Sequence, residues 1–117
     1  MTLNYRELDE TDLEFISVAA TDEISNGEKL FLEIDDLEII LFNIAGKFFA
    51  ISNLCSHDGA DLGEGEIEGE QAICPRHGAR FDVATGKALT LPAVEDISAY
   101  PVRVEGNELM LGIPKSN

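Results

Sequence analysis

Residues 55–57 read Cys-Ser-His and residues 74–77 read Cys-Pro-Arg-His, and these two short segments hold every cysteine and every histidine of the 117-residue chain. Sixteen residues separate His57 from Cys74. If two histidines were placed at random, one would fall within three positions after each cysteine on the order of once in a thousand sequences. We therefore expect the four side chains to act together at one site.

Three kinds of site account for two cysteines and two histidines: a Cys55–Cys74 disulfide, a mononuclear zinc site, and a 2Fe-2S cluster. A disulfide leaves both histidines unexplained, and nothing in the sequence indicates an oxidising compartment. Zinc accepts thiolate and imidazole ligands, but Cys-x-His is shorter than the spacing that is usual in structural zinc knuckles. If one iron binds both thiolates and the other both imidazoles, each segment supplies one ligand to each iron. The pattern favours the cluster, with zinc as the stronger alternative.

The two segments and their flanks resemble the Rieske family of iron-sulfur proteins, whose pattern is Cys-x-His followed, after a loop, by Cys-x-x-His. The similarity extends over about residues 14–113. Further matches lie at residues 62–65, 81–82, 85–86, 91–93 and 100–102. The resemblance implies one Rieske 2Fe-2S cluster, with Cys55 and Cys74 binding the inner iron and His57 and His77 binding the outer, solvent-facing iron.

The residues around these ligands differ from those of Rieske domains in respiratory complexes. Those domains have an extra cysteine in each ligand loop, and a serine and a tyrosine whose hydroxyls donate to the cluster. The matching positions here hold Ala60, Arg76, Ala79 and Phe81. Fewer hydrogen bonds destabilise the electron-rich reduced state, so the resemblance implies a reduction potential toward the low end of about −150 to +300 mV. We also expect the backbone amides of Gly59 and Gly78 to approach the sulfides.

Short runs of Ile, Val, Phe and Leu alternate with Gly, Asn, Asp and Pro along the chain, which is typical of an all-β protein. We expect strands at residues 14–19, 29–35, 38–44, 47–53, 99–105 and 108–113, and shorter strands at 66–68, 71–74 and 80–82. Apolar side chains on both faces of residues 47–53 predict a central strand. Turns are expected at residues 36–37 and at Gly106-Asn107, and Thr21 is expected to cap a turn.

The middle of the chain, about residues 54–92, is rich in glycine and contains both ligand segments. Loops of this kind inside a small protein usually have a function. The resemblance implies a single Rieske 2Fe-2S domain over residues 1–117, built as a Rieske-like antiparallel β-sandwich. It also implies that residues 54–92 form a small cluster-binding subdomain of two loops.

The chain is strongly acidic, with 23 Asp and Glu against 8 Lys and Arg, a net charge of −15 and a pI of about 4.2. This charge argues against nucleic acid and anionic membranes as partners, whereas basic protein surfaces complement it. No apolar run approaches the ~18–20 residues of a membrane span, and the first residues show no secretory signal. We therefore expect a cytoplasmic protein.

Two groups of charges are placed near the ligands. Arg76, Arg80 and Lys87 form the one basic group of the chain, and we hypothesise that Arg76 flanks a docking face. Four glutamates alternate at positions 64, 66, 68 and 70. This alternation predicts that their side chains share one solvent-facing side of a β segment.

The sequence contains no nucleophile with a neighbouring base and no phosphate loop, which argues against an enzyme. The departures described above resemble soluble Rieske-type ferredoxins, which pass single electrons from a flavin-dependent ferredoxin reductase to a terminal ring-hydroxylating oxygenase. We therefore predict a one-electron carrier whose two partners have basic docking faces, and a monomer, since it must visit both. The alternatives are a small Rieske subunit of a reductase such as assimilatory nitrite reductase, and a zinc-bound interaction module.

Overall fold

The structure, a computed structural model, describes residues 10–53, 62–75, 78–91 and 96–114. Its strands are β1 (Leu13–Ala20), β2 (Lys29–Ile34), β3 (Leu37–Ile44), β4 (Lys47–Ser52), β5 (Ile67–Glu68), β6 (Gln71–Ile73), β7 (Arg80–Asp82), β8 (Ala99–Tyr100), β9 (Val102–Glu105) and β10 (Glu108–Pro114). Single 3-10 turns lie at Glu10–Asp12, Thr21–Glu23 and Leu62–Glu64. The prediction of an all-β fold is confirmed. No helix within the described ranges is long and apolar enough to cross a membrane.

The strands form three antiparallel sheets. The first contains β1, β10 and β9 in that order, the second β2, β3, β4 and β8, and the third β5, β6 and β7. In the second sheet β4 pairs with both β3 and β8, as predicted for a strand with apolar side chains on both faces. The third sheet lies in the glycine-rich middle of the chain and contains the strand that leads to Cys74.

Two core clusters cover the two faces of the second sheet. Ile39 and Leu41 of β3 pack with β10 of the first sheet through Leu109 and its neighbours. Ile40 and Phe42, the alternate residues of the same strand, belong to the cluster that contains the third sheet. Successive residues of a strand face opposite sides, so a continuous apolar run is buried on both faces. One face of the second sheet therefore packs against the third sheet, and the other face packs against the first sheet.

Both turns of the second sheet's hairpins use left-handed backbone. Asp35 and Asp36 have φ angles of 48° and 69°, and Ala45 and Gly46 have φ angles of 54° and 86°. Positive φ at both central residues is the pattern of the two-residue turns that join twisted strands. The predicted β2–β3 turn is one residue too late, because Leu37 pairs with the end of β2 instead of entering the turn.

The predicted strand at residues 99–105 is two strands. β8 pairs with β4 of the second sheet, and β9 pairs with β10 of the first. Pro101 lies between them and lacks the N–H that would continue a ladder, so the chain changes sheets there. The cap expected at Thr21 is also wrong: Thr21 is inside the 3-10 turn, and the Glu23 carboxylate accepts from the Ala20 N–H at 3.0 Å.

Candidate metal centre

Of the four predicted ligands, Cys74 lies in the part of the chain that the structure describes. The other three, Cys55, His57 and His77, lie outside the described residues. The same holds for other residues singled out from the sequence, namely Gly59, Ala60, Arg76, Pro92 and Ala93. The geometry of the centre is therefore built from Cys74 and from the described residues that flank the other three ligands in sequence.

Cys74 follows the last residue of β6 and is 1% exposed. It belongs to the core cluster that also contains Ala72, Ala79 and Phe81. Its thiol is free, which contradicts the Cys55–Cys74 disulfide. A buried thiol at the end of a strand, next to the second Cys-x-x-His segment, suits a metal ligand that is shielded from solvent.

Two backbone hydrogen bonds fix Cys74 at the base of the β6–β7 hairpin. The Cys74 N–H donates to the Ala79 carbonyl at 2.8 Å, and the Gly78 N–H donates to the Cys74 carbonyl at 3.0 Å. Gly78 has a φ of 74°, which glycine adopts without strain. The Gly78 N–H is thus used in closing the hairpin, and the expectation that this amide approaches a sulfide stays a prediction.

At Gly65, the chain that follows the first ligand segment comes into contact with the β6–β7 hairpin. The Ile73 N–H donates to the Glu66 carbonyl at 2.9 Å, which holds the two backbones side by side. A Cβ at position 65 would overlap the Ile73 carbonyl oxygen and lie 3.1 Å from Pro75 Cδ. Only glycine allows this close approach, and it occurs directly beside Cys74.

The residues on either side of the first ligand segment are also fixed. Asn53 is 6% exposed, and its Oδ1 accepts from the Gly63 N–H at 2.9 Å. The Lys29 ammonium donates to the carbonyls of Gly63 and Gly65, the second at 3.3 Å. Sequence reasoning missed both Asn53 and Lys29. The one signal for Asn53 was a polar residue at the end of an apolar strand, just before Cys55.

A cleft of about 350 Å³ opens at Cys74. Its other described lining residues are Gly65, Glu66, Ile73, Pro75 and Gly78. Three of these six positions are glycine or proline in tight backbone, so few side chains fill the space next to the sulfur. The residues present thus leave room for a group bound to Cys74.

The side chains expected to replace two hydroxyl donors are buried and apolar. Ala79 and Phe81 are both 0% exposed and pack in the same cluster as Cys74. Neither side chain donates a hydrogen bond, so these two positions leave a sulfur at Cys74 without hydroxyl partners. The low reduction potential expected from the sequence stays a prediction, to which these two apolar side chains contribute.

The charges near the centre differ from expectation at Arg80. Its guanidinium lies 3.2 Å from a Glu68 carboxylate oxygen and 3.1 Å from Gln71 Oε1. The Glu68 carboxylate therefore offsets the positive charge of Arg80. Glu66, Glu68 and Glu70 are all exposed, as a solvent-facing side requires, and the side chain of Glu64 lies outside the described residues. The β segment is shorter than predicted, because β5 ends at Glu68 and a turn follows.

The irregular segment that leads to residues 91–93 is tied to the third sheet. The Leu89 N–H donates to the Arg80 carbonyl at 2.8 Å, and the Arg80 N–H donates to Thr90 Oγ1 at 3.0 Å. Leu91 is 77% exposed. The segment that resembles the family's proline loop therefore starts beside β7, close to the hairpin that carries Cys74.

Comparison with known proteins identifies the family. A model of the Rieske [2Fe-2S] domain matches residues 14–101. The chain is 40% identical over 97 residues to the ferredoxin component of naphthalene 1,2-dioxygenase/salicylate 5-hydroxylase systems from Ralstonia sp, covering 83% of this chain and 93% of that protein. It matches the solved ferredoxin of carbazole 1,9a-dioxygenase from Nocardioides aromaticivorans IC177 with a TM-score of 0.79 and 37% identity, covering 86% and 98% of the two chains.

A different relative bears on the reductase alternative. A putative NADH-dependent nitrite reductase small subunit from Mycobacterium tuberculosis matches with a TM-score of 0.78, covering 89% of this chain and 98% of the other. The identity is only 20%, so this likeness concerns the fold alone.

The donor chemistry and the family agree. Two thiolates and two imidazoles are the ligand types of a Rieske cluster, and Cys74 is a free, buried thiol that lines a cleft. The family match decides between the two metal sites considered from the sequence, in favour of an iron-sulfur cluster and against zinc. The chain belongs to the Rieske [2Fe-2S] family, and one cluster of this type is its cofactor.

Proposed function

We propose that the protein carries single electrons from a flavin-dependent ferredoxin reductase to a terminal ring-hydroxylating or related oxygenase. Relatives at 37–40% identity that are ferredoxins of dioxygenase systems support this role. Such ferredoxins carry electrons and are not themselves catalysts. The observation that carries the proposal is the free, buried Cys74 at the base of the β6–β7 hairpin in a chain of the Rieske family.

For the ligands, we propose that Cys55 and Cys74 bind one iron and that His57 and His77 bind the other. When bound, the 2Fe-2S cluster supplies reversible one-electron chemistry. Neutral imidazoles stabilise ferrous iron better than thiolates do, so the two histidines would hold the iron that is reduced. We therefore expect His57 and His77 to lie at the face through which electrons enter and leave.

The described residues supply a dry, apolar environment on the Cys74 side. Ala79 and Phe81 are fully buried beside Cys74 and exclude water from its sulfur. They add no hydroxyl that would stabilise the electron-rich reduced state. A low potential suits a protein that must deliver electrons to an oxygenase.

Surface charge supports partners with basic docking faces. Glu66 and Glu70 are exposed on the third sheet and its turn, and the nearby Arg80 is paired with Glu68. The described glutamates beside the β6–β7 hairpin thus leave two carboxylates that are not paired with Arg80. Charges of this kind act mainly on the rate of association, and salt weakens them.

The remaining parts of the proposal concern the state of the protein. We propose a cytoplasmic monomer, because a carrier with two successive partners needs its docking face free. Residues 1–117 would form one domain, with residues 54–92 as its cluster-binding subdomain. The alternative, a permanent subunit of a nitrite reductase, has only a likeness of fold in its favour.

Electron transfer with separated components tests this function. We expect a flavin-dependent ferredoxin reductase with NADH to reduce the protein, and the reduced protein to be reoxidised by a ring-hydroxylating oxygenase, at rates that fall with added salt. Glu66→Lys should slow the reaction and weaken its salt dependence more than Glu105→Lys, which makes the same charge change on β9 of the first sheet. Failure to exchange electrons, or co-purification in a stable complex with a large reductase, would contradict the carrier role.

A further inference from the structure

Residues 54–61 contain Cys55 and His57, and this wider segment begins directly after Asn53 and ends directly before Leu62. We infer that Asn53 and Lys29 are positioning residues that fasten the two ends of this segment together and so hold Cys55 and His57 ready for the cluster. The inference rests on the ligand assignment proposed above. It concerns side chains that resemblance to the family did not single out.

Asn53 joins the start of the segment to its end. Its backbone N–H donates to the Glu38 carbonyl at 2.9 Å, which ties it to β3. Its side-chain Oδ1 accepts from the Gly63 N–H, ten residues later, at 2.9 Å. Both groups are buried, so loss of either partner would leave a buried polar atom unsatisfied.

Gly63 is held tightly by packing from the second sheet. It is buried, and a Cβ at this position would overlap the Phe31 ring and Ile40 Cδ1. Its N–H is used by Asn53 and its carbonyl by Lys29. The backbone at position 63 therefore has one packed location, with both of its polar groups satisfied by side chains from the second sheet and its end.

Lys29 extends this attachment to the second ligand hairpin. It begins β2, 34 residues before Gly63, and its ammonium donates to the carbonyls of both Gly63 and Gly65. Gly65 in turn lies against Ile73 and Pro75, which flank Cys74. One side chain thus connects the end of the first ligand segment with the backbone that positions Cys74.

The consequence is that the described backbone on either side of residues 54–61 is held in place by the protein fold. Ligands that are held by surrounding hydrogen bonds bind a metal more tightly, because less order must be created on binding. The same support keeps the ligands in place when the charge of the centre changes. We therefore expect Asn53 and Lys29 to affect retention of iron more than they affect the stability of the fold.

Asn43 supplies a matched control for Asn53. It is also a buried asparagine, 8% exposed, and its Oδ1 also accepts from a glycine N–H, that of Gly46, at 2.9 Å. Asn43 serves the β3–β4 turn, and its Nδ2 also donates to the Ile24 carbonyl at 2.7 Å, so Asn43→Leu removes buried contacts that lie away from the ligand segments. Asn53→Leu and Asn43→Leu both remove such a contact, so a difference in iron retention between them reports on the place of Asn53 in the fold.

The experiment starts from the holoprotein, adds a mild reductant together with a ferrous chelator, and measures the rate at which iron passes to the chelator. We expect release from Asn53→Leu to be about tenfold faster than from Asn43→Leu. Asn53→Asp, which keeps an acceptor oxygen, should restore slow release. Amide hydrogen exchange of the peptide that contains Gly63 should be faster in Asn53→Leu and unchanged in Asn43→Leu.

Lys29 is tested in the same assay with its own control. Lys29→Met should release iron several-fold faster than Lys47→Met, because Lys47 is exposed on the second sheet, and Lys29→Arg should recover most of the difference.

Equal release rates and equal exchange in the paired variants would overturn the inference while leaving the proposed function intact. A wild-type protein without a cluster would instead overturn the proposed function.

Discussion

Gly65→Ala tests whether the two ligand segments depend on a close contact between backbones. A Cβ at position 65 would overlap the Ile73 carbonyl oxygen, and it would also lie 3.1 Å from Pro75 Cδ. Neither neighbour can rotate away, because one is backbone and the other is a ring. The two backbones beside Cys74 must therefore move apart by about 1 Å to admit the methyl group.

The cost of this movement follows from the rigidity of the contact. Overpacking of a protein interior typically costs about 1–3 kcal/mol, and a backbone obstacle places Gly65→Ala at about 3 kcal/mol. One kcal/mol shifts the unfolding midpoint of a domain of this size by about 4–8 °C, so we expect a fall of about 12 °C or more. Iron should also be released faster, because the movement separates the backbone at Gly65 from the β6–β7 hairpin that carries Cys74.

Gly69→Ala is the control for this prediction. Gly69 has a φ of 60°, and no atom lies within 4 Å of the place that an added methyl group would occupy, so its alanine variant suffers conformational strain without a clash. That strain costs about 1–2 kcal/mol. Both holoproteins are heated at one scan rate while visible absorption of the cluster is followed. A Gly65→Ala midpoint no lower than that of Gly69→Ala, with equal iron retention, would refute the reasoning.

Three further changes have directions that the structure determines. Phe81→Tyr adds a hydroxyl beside Cys74; a hydrogen bond of about 1 kcal/mol to the reduced centre raises the potential by about 40 mV in spectroelectrochemistry, and an unchanged potential would contradict this. Arg80→Gln breaks a partly exposed pair with Glu68, so chemical unfolding should show a loss of no more than about 1 kcal/mol, and a larger loss would mean that the pair is more than a surface contact. Ala45→Gly relieves a left-handed alanine (φ 54°), so the thermal midpoint should rise by a few degrees, and a fall would be inconsistent with strain there.

The sheet architecture was predictable where the apolar pattern of a single strand indicates how many neighbours it has. Alternating apolar residues on both faces of β4 predicted a central strand, and β4 pairs on both sides. The β2–β3 turn was misplaced by one residue, since two aspartates tolerate the left-handed turn and Leu37 pairs instead. The split at Pro101 was missed because hydrophobic alternation continues through a residue at which the chain changes sheets.

The supports of the candidate centre were harder to predict, because they depend on contacts between distant residues. Lys29 reaches Gly63 across 34 residues, and no local pattern distinguishes it from an exposed lysine at the start of a strand. The sequence groups Arg80 with Arg76 and Lys87 as basic residues but does not indicate its ion pair with Glu68, which is formed across the third sheet. The hydrogen bond from the Gly78 N–H to the Cys74 carbonyl, which closes the hairpin, was also not foreseen. The prediction of Cys55, His57, Cys74 and His77 as ligands, by contrast, needed only their grouping in the sequence and the resemblance to the family.

Pulsed electron paramagnetic resonance of the reduced protein tests the central claim most directly. The protein is purified with iron and sulfide analysis, reduced with dithionite, and compared with protein labelled with 15N-histidine. The account predicts equal iron and sulfide, a 2Fe-2S signal, and couplings to two histidine nitrogens that change on labelling and are lost in His57→Ala and His77→Ala. A colourless protein that contains zinc, or an iron-sulfur signal without histidine couplings, would contradict it.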